Sequence, residues 1–169
     1  MTRAFLLSIV ASLFLLMMGL LIPLHARAQS GYIYWTDSRA GNIQRAHLDG
    51  TGRINLVQAA FVSPLEIALD TNRGKLYWVD NGTQTIHRSN LDGSNVELFI
   101  DGLISPSGIA LDRSNDKIYW NSGTQIHRSN LDGSNIASLV TLTGPFYSGI
   151  FDIALDTNGG KMYWAHGGK

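Results

Sequence analysis

From residue 31 onward, short apolar runs alternate with polar, glycine-rich punctuation, and the runs recur. One run ends in aspartate: Ile67-Ala68-Leu69-Asp70, Ile109-Ala110-Leu111-Asp112 and Ile153-Ala154-Leu155-Asp156. A second is aromatic: Tyr34-Trp35-Thr36-Asp37, Tyr77-Trp78-Val79-Asp80, Tyr119-Trp120-Asn121-Ser122 and Tyr163-Trp164-Ala165-His166. A third reads Ile-x-Arg-x-x-Leu-Asp-Gly at residues 43–50, 86–93 and 126–133, and a looser apolar run follows each copy. Runs this short, rich in Ile, Val, Tyr and Trp and bounded by Asp-Gly, Asn-Gly and Ser-Pro, predict strands. No apolar stripe of helical period follows residue 31. Asp49-Gly50, Asp92-Gly93 and Asp132-Gly133 are hairpin turns, because glycine supplies the positive φ such turns need. Pro64 and Pro106 stand where the first strand starts, where a missing N–H does least harm.

All four tryptophans, Trp35, Trp78, Trp120 and Trp164, fall at one repeat position, at intervals of 43, 42 and 44 residues. A period of about 40–45 residues with an aromatic marker is the sequence trace of a propeller blade. Residues 31–57 supply strands two to four of one blade, 64–100 and 106–142 are complete blades, and 150–165 give strands one and two of another. The expected fold is therefore all-β, a partial propeller of about three blades' worth of four-stranded antiparallel sheets, with thirteen strands. Propellers close as rings of about 4–8 blades, so this is an incomplete ring.

Residues 1–28 read differently. Arg3 precedes an almost unbroken apolar run over 5–22, and Ala26-Arg27-Ala28 has the form of a cleavage site, which predicts a signal peptide cut after Ala28. An uncleaved anchor is the alternative, since the run approaches the ~20 residues that span a bilayer. The expected organisation is thus a signal peptide over 1–28 and propeller repeats over 29–169, in a secreted or periplasmic protein without membrane attachment after cleavage. Without Arg3 and Arg27, eleven basic residues face thirteen acidic ones in no basic block, which argues against nucleic acid or an anionic membrane as partner. The absence of cysteine excludes disulfides and thiolate metal sites, so packing alone holds the fold.

The aromatic strands, the Leu-Asp-Gly turns and the Pro-x-x-Ile-Ala-Leu-Asp strands resemble the YWTD, or class B, repeats of the low-density-lipoprotein receptor family. The resemblance runs from Gly31 to Trp164. It implies a six-bladed propeller whose animal members bind protein ligands on one face, and the lack of cysteine places this chain nearer the bacterial type. Three departures stand out. Asn121-Ser122 and Ala165-His166 replace the motif Thr-Asp; if the motif aspartate ties blades together, those two junctions lose the tie. Only Gly108 keeps the glycine expected before the Ile-Ala-x-Asp strand, with Glu66 and Asp152 in its place elsewhere. The repeats amount to about half a ring. Either two chains associate, strand 153–156 of each pairing with residues 31–57 of the other to close six blades as a homodimer, or the sequence is part of a longer chain.

The recurring register of Tyr77, Trp78 and their equivalents points to packing between blades. Arg45, Arg88 and Arg128 are repeat-equivalent; they would form an anion-binding ring or, on the simpler reading, a solvated face pairing nearby carboxylates. Glu66 and Asp152 break the repeat near a channel mouth, where carboxylates suit a hard divalent cation. Such an ion needs about six oxygen ligands, which the spacing does not supply, so no metal or other cofactor is assigned. The chain contains no Gly-x-Ser-x-Gly elbow, no His-Glu-x-x-His helix and no phosphate loop. Asn81-Gly82-Thr83 is a glycosylation sequon. The expectation is a non-enzymatic extracytoplasmic scaffold that binds protein or peptide. The alternative is a lactonase-like propeller hydrolase or lyase with a metal on the channel axis.

Overall fold

The structure, a computed structural model, describes residues 31–58, 63–144 and 149–167. The expected leader over 1–28 lies outside the described residues. Thirteen strands form four antiparallel sheets, each in chain order. Sheet I holds β1 (Tyr32–Asp37), β2 (Asn42–His47) and β3 (Ile54–Gln58). Sheet II holds β4 (Pro64–Asp70), β5 (Lys75–Asp80), β6 (Thr85–Asn90) and β7 (Glu97–Ile100). Sheet III holds β8 (Ile109–Asp112), β9 (Lys117–Ser122), β10 (Gln125–Asn130) and β11 (Ala137–Thr141), and sheet IV holds β12 (Gly149–Asp156) and β13 (Lys161–Gly167). First strands neighbour one another, β4 beside β8 and β8 beside β12. This is the division into three, four, four and two strands expected of a partial propeller.

Sheet III departs at one point: its first strand begins at Ile109 rather than Pro106. Upstream polar groups are tied sideways instead of into a ladder. The Pro106 carbonyl accepts Asn81 Nδ2 at 2.9 Å, and Asn121 Oδ1 accepts the Ser107 and Gly108 amides at 3.0 and 2.6 Å.

The repeated aspartates make the turns. Asp70 Oδ1 accepts the Asn72 and Arg73 amides, and Asp112 Oδ1 those of Ser114 and Asn115, all at 3.1 Å. Each carboxylate thus closes the turn after its own strand. In the Leu-Asp-Gly hairpins, Gly50, Gly93 and Gly133 have φ of 82°, 85° and 88° and donate to the residue three before at 2.9 Å. That is a type I turn followed by a bulge glycine.

Adjacent residues of a strand point to opposite faces, and the aromatic strand uses both. Trp78 packs with Ile43, Val57 and Leu76 towards sheet I, while Tyr77 packs with Ile109, Ile118 and Trp120 towards sheet III. Tyr77, Trp78 and Trp120 are at most 1% exposed. The expected interlayer packing fails at the last repeat, where Tyr163 and Trp164 are 55% and 38% exposed. Sheet IV has only two strands, and among the described residues no sheet covers its far face.

The Asn121-Ser122 junction, where Ser122 stands at the position of the motif aspartate, is tied differently from that of Asp80. Asp80 Oδ1 accepts from Ser63, Gly82 and Thr83, so it stitches its own sheet. Sheets II and III are joined instead by Asn81 on Pro106. Asn121 is fully buried and does both jobs: its Oδ1 holds Ser107 and Gly108, and its Nδ2 donates to the Ile150 carbonyl of β12 at 2.8 Å. An aspartate has no N–H for that last bond. Asn121→Asp should therefore loosen sheet IV by about 2 kcal/mol and accelerate amide exchange across residues 149–167 while sheet II is unchanged.

Gly93 is required by space as well as by φ. A Cβ there would lie 2.3 Å from the Leu56 carbonyl oxygen of sheet I, whereas one at Gly50 meets nothing within 4 Å. Gly50→Ala should cost about 1 kcal/mol, the price of positive φ alone. Gly93→Ala should cost roughly 3 kcal/mol or more, read as the difference in urea midpoints.

Candidate functional site

Glu66, Gly108 and Asp152 are repeat-equivalent positions of β4, the lead-in to β8, and β12. The fold brings the two carboxyl groups together across the glycine. Glu66 Oε2 accepts the Ile109 amide at 3.0 Å, and Asp152 Oδ1 accepts the Ile153 amide at 2.7 Å. A Cβ on Gly108 would lie 3.0 Å from Asp152 Cα and 3.1 Å from the Ile153 nitrogen. The missing side chain lets β8 approach β12 and leaves Glu66 room to reach across. Burial, followed by the neighbouring Asp152 carboxylate, pushes the Glu66 carboxyl up to about 7, against the opposing hydrogen bond from Ile109. Among the described residues no group of three or more His, Asp or Glu is placed to hold a metal ion.

The three arginines do not converge on one anion. Arg45 Nη1 donates to the Leu91 carbonyl at 2.9 Å and its guanidinium lies 4.5 Å from the Tyr32 ring centroid. Arg88 Nη1 donates to the Leu131 carbonyl at 3.0 Å, and Arg88 Nε pairs with Glu97 at 2.6 Å. The expected carboxylate partner is thus present for Arg88, while Arg45 is spent on a backbone carbonyl of the next sheet. A tyrosine directly across the ladder reaches the same oxygen each time: Tyr34 Oη to Leu91 at 3.3 Å and Tyr77 Oη to Leu131 at 3.5 Å. This Tyr–Arg clamp on the neighbouring Leu-Asp-Gly turn went unread in the sequence. The repeat-invariant Tyr, Arg and Leu were all visible there; their cross-sheet register was not.

Other sequence features are occupied structurally. The Asn81 amide of the sequon donates to Pro106. Asp92 and Asp132, which have the composition of a calcium loop, accept the amide and hydroxyl of Ser94 and Ser134 within their own turns, which holds both carboxyls below the usual range. His87 and His127 stack on Trp78 and Trp120 at 5.6 and 5.8 Å, and burial lowers both imidazoles.

These groups oppose one another in pH. A raised Glu66 binds its proton earlier in the folded chain, so its stabilisation is lost as pH rises from about 4.5 through 7. The lowered histidines stay neutral when folded, and their contribution is lost as pH falls below the ordinary value of 6.5. Glu66→Gln keeps an acceptor for Ile109 and removes the charge. It should stabilise the chain at pH 8 by on the order of 1 kcal/mol, allowing for solvent screening, and change little at pH 5. Thermal melts at the two pH values check this, and equal shifts at both would refute it.

The sequence profile for low-density lipoprotein receptor repeat class B matches residues 31–71 and 74–113. No curated protein matches the chain significantly. Nidogen, from a crystallised nidogen–laminin complex, aligns with a TM-score of 0.76 at 26% identity, covering 83% of this chain and 54% of that one. Virginiamycin B lyase from Staphylococcus aureus aligns with a TM-score of 0.63 at 18% identity, covering 81% and 46%. A gluconolactonase from Xanthomonas campestris aligns with a TM-score of 0.60 at 17% identity, covering 75% and 42%. The two enzymes are similar in fold alone. The chain spans about half the length of these structures. With its four sheets in blade order, the cysteine-free chain carries two repeats of the low-density lipoprotein receptor class B type within a partial β-propeller fold.

Proposed function

We propose that the chain is a non-enzymatic, extracytoplasmic β-propeller scaffold that binds a protein or peptide through one propeller face. The observation that carries this reading is its 26% identity to a nidogen chain crystallised with laminin, a complex of two proteins. A leader over residues 1–28, cleaved after Ala28, would export it. The antiparallel order puts the loops at two ends of the sheets. Turns 81–84 and connection 101–108 share one end, joined by Leu103 N–H to the Gln84 carbonyl at 3.1 Å. Turns 71–74 and 91–93 share the other, joined by Leu91 N–H to the Gly74 carbonyl at 2.9 Å. Ile104, 66% exposed on the first end, is the kind of apolar contact a peptide ligand uses.

A second reading has its own support. The convergence of Glu66 and Asp152, with lyase and gluconolactonase propellers among the fold relatives, suits an axial metal in a hydrolase or lyase. Fold likeness alone does not fix chemistry. One experiment separates the two: a displayed-peptide library panned on the immobilised chain, beside calcium retention and lactone hydrolysis. The scaffold reading expects a peptide consensus whose binding falls at least tenfold in Ile104→Asp, with no retained calcium. Calcium that survives gel filtration and lactone turnover lost in Glu66→Gln, without any selected peptide, would replace it by the enzyme.

A further inference from the structure

The Tyr–Arg clamp occurs three times in the described residues and is filled twice. Tyr34, Arg45 and Leu56 of sheet I meet the Leu91–Gly93 turn of sheet II; Tyr77, Arg88 and Phe99 of sheet II meet the Leu131–Gly133 turn of sheet III. The equivalents in sheet III are Tyr119, Arg128 and Leu139, with Tyr119 directly opposite Arg128 in the ladder. They line a cleft of about 320 Å³ together with Leu155 and Lys161 of sheet IV. Among the described residues Arg128 makes no hydrogen bond or ion pair, and Leu139 is 40% exposed.

At the far end of the stack the converse holds. The Leu48-Asp49-Gly50 turn has the same geometry as the two clamped turns: Gly50 N–H donates to the His47 carbonyl at 2.9 Å with φ of 82°. Yet among the described residues nothing covers it. Leu48 is 59% exposed where Leu131 is 7%, and a Cβ on Gly50 meets no atom within 4 Å where one on Gly93 meets Leu56 at 2.3 Å. The chain therefore carries an open clamp and an unclamped turn of the kind that clamp fits.

We propose that Tyr119 and Arg128 bind the Leu48 carbonyl of a second copy of this chain. In the filled clamp on sheet III, the turn belongs to the sheet whose first strand lies beside the clamping sheet's own. At the open clamp that first strand is β12, whose ladder is already taken by β13, Ile153 facing Trp164 and Ala154 facing Tyr163. A simple loan of β12 is therefore ruled out. Seating the second copy exchanges β13 for that copy's β1, which presents Trp35 and Tyr34 in the same register. The exchange is close to even in ladder hydrogen bonds. It gains by replacing a strand with half-exposed aromatics by one that brings β2 and β3 with it, giving a four-stranded sheet, and it pairs the open edge of β1. Made reciprocally, two exchanges leave six four-stranded sheets, within the range in which propellers close, related by a two-fold axis.

The variants are made in the full reading frame. Gly50→Ala should block the pairing, because a Cβ at the equivalent Gly93 lies 2.3 Å from the Leu56 carbonyl oxygen of the clamping sheet, whereas at Gly50 of the single chain it meets nothing within 4 Å. Light scattering should give a dimer for the parent, and Arg128→Ala and Gly50→Ala should each raise its dissociation constant at least tenfold with an unchanged β-sheet circular dichroism spectrum. A parent that stays monomeric to about 100 µM, or a dimer indifferent to Arg128→Ala or to Gly50→Ala, would overturn the proposal.

Discussion

The structure depends on one constraint: a sheet with two apolar faces is stable only when a neighbour covers each. The pleat of the second strand meets it by sending Trp78 to one neighbour and Tyr77 to the other. Once the aromatic pair faces both ways, every other repeated residue has a place. The Leu-Asp-Gly hairpin presents a carbonyl to the sheet before it, and the arginine opposite the tyrosine finds that carbonyl at hydrogen-bond distance. Polar groups are thus satisfied between sheets as well as within them, which suits a stack without disulfides.

The strands, their number and their grouping were legible because each is announced twice, by an apolar run and by the aspartate or glycine that ends it. Three things were not. Asn121-Ser122 reads as the loss of an acidic tie, but the Asn121 amide, one position earlier, both accepts and donates and so adds a bond to β12. Tyr163 and Trp164 read as two more packed aromatics, because composition does not record whether a neighbour is present. The meeting of Glu66 with Asp152 is a property of three consecutive sheets, produced by the missing side chain of Gly108 between them. Repeat spacing locates equivalent positions along the chain; it does not say which equivalents lie near enough to touch.

The same geometry separates architectural from ligand-directed residues. Arg45, Arg88, Asn81 and the turn aspartates are engaged by backbone atoms and serve the stack. The groups left for other chemistry are those at which the repeat is broken or its partner absent: Glu66 with Asp152 near the first strands, and Tyr119 with Arg128 at the last full sheet.

The filled and unfilled clamps also set a gradient of local stability. Sheet II is gripped from both sides, I and III from one, and IV by no clamp, so stability falls towards the ends of the stack as in a quasi-one-dimensional array. Unfolding should therefore fray inward from the ends, with sheet IV opening independently of the middle pair. A protease cutting in 157–160 would then sample that opening long before a global melt reports it, so resistance to a nick and resistance to heat are separate properties of this molecule.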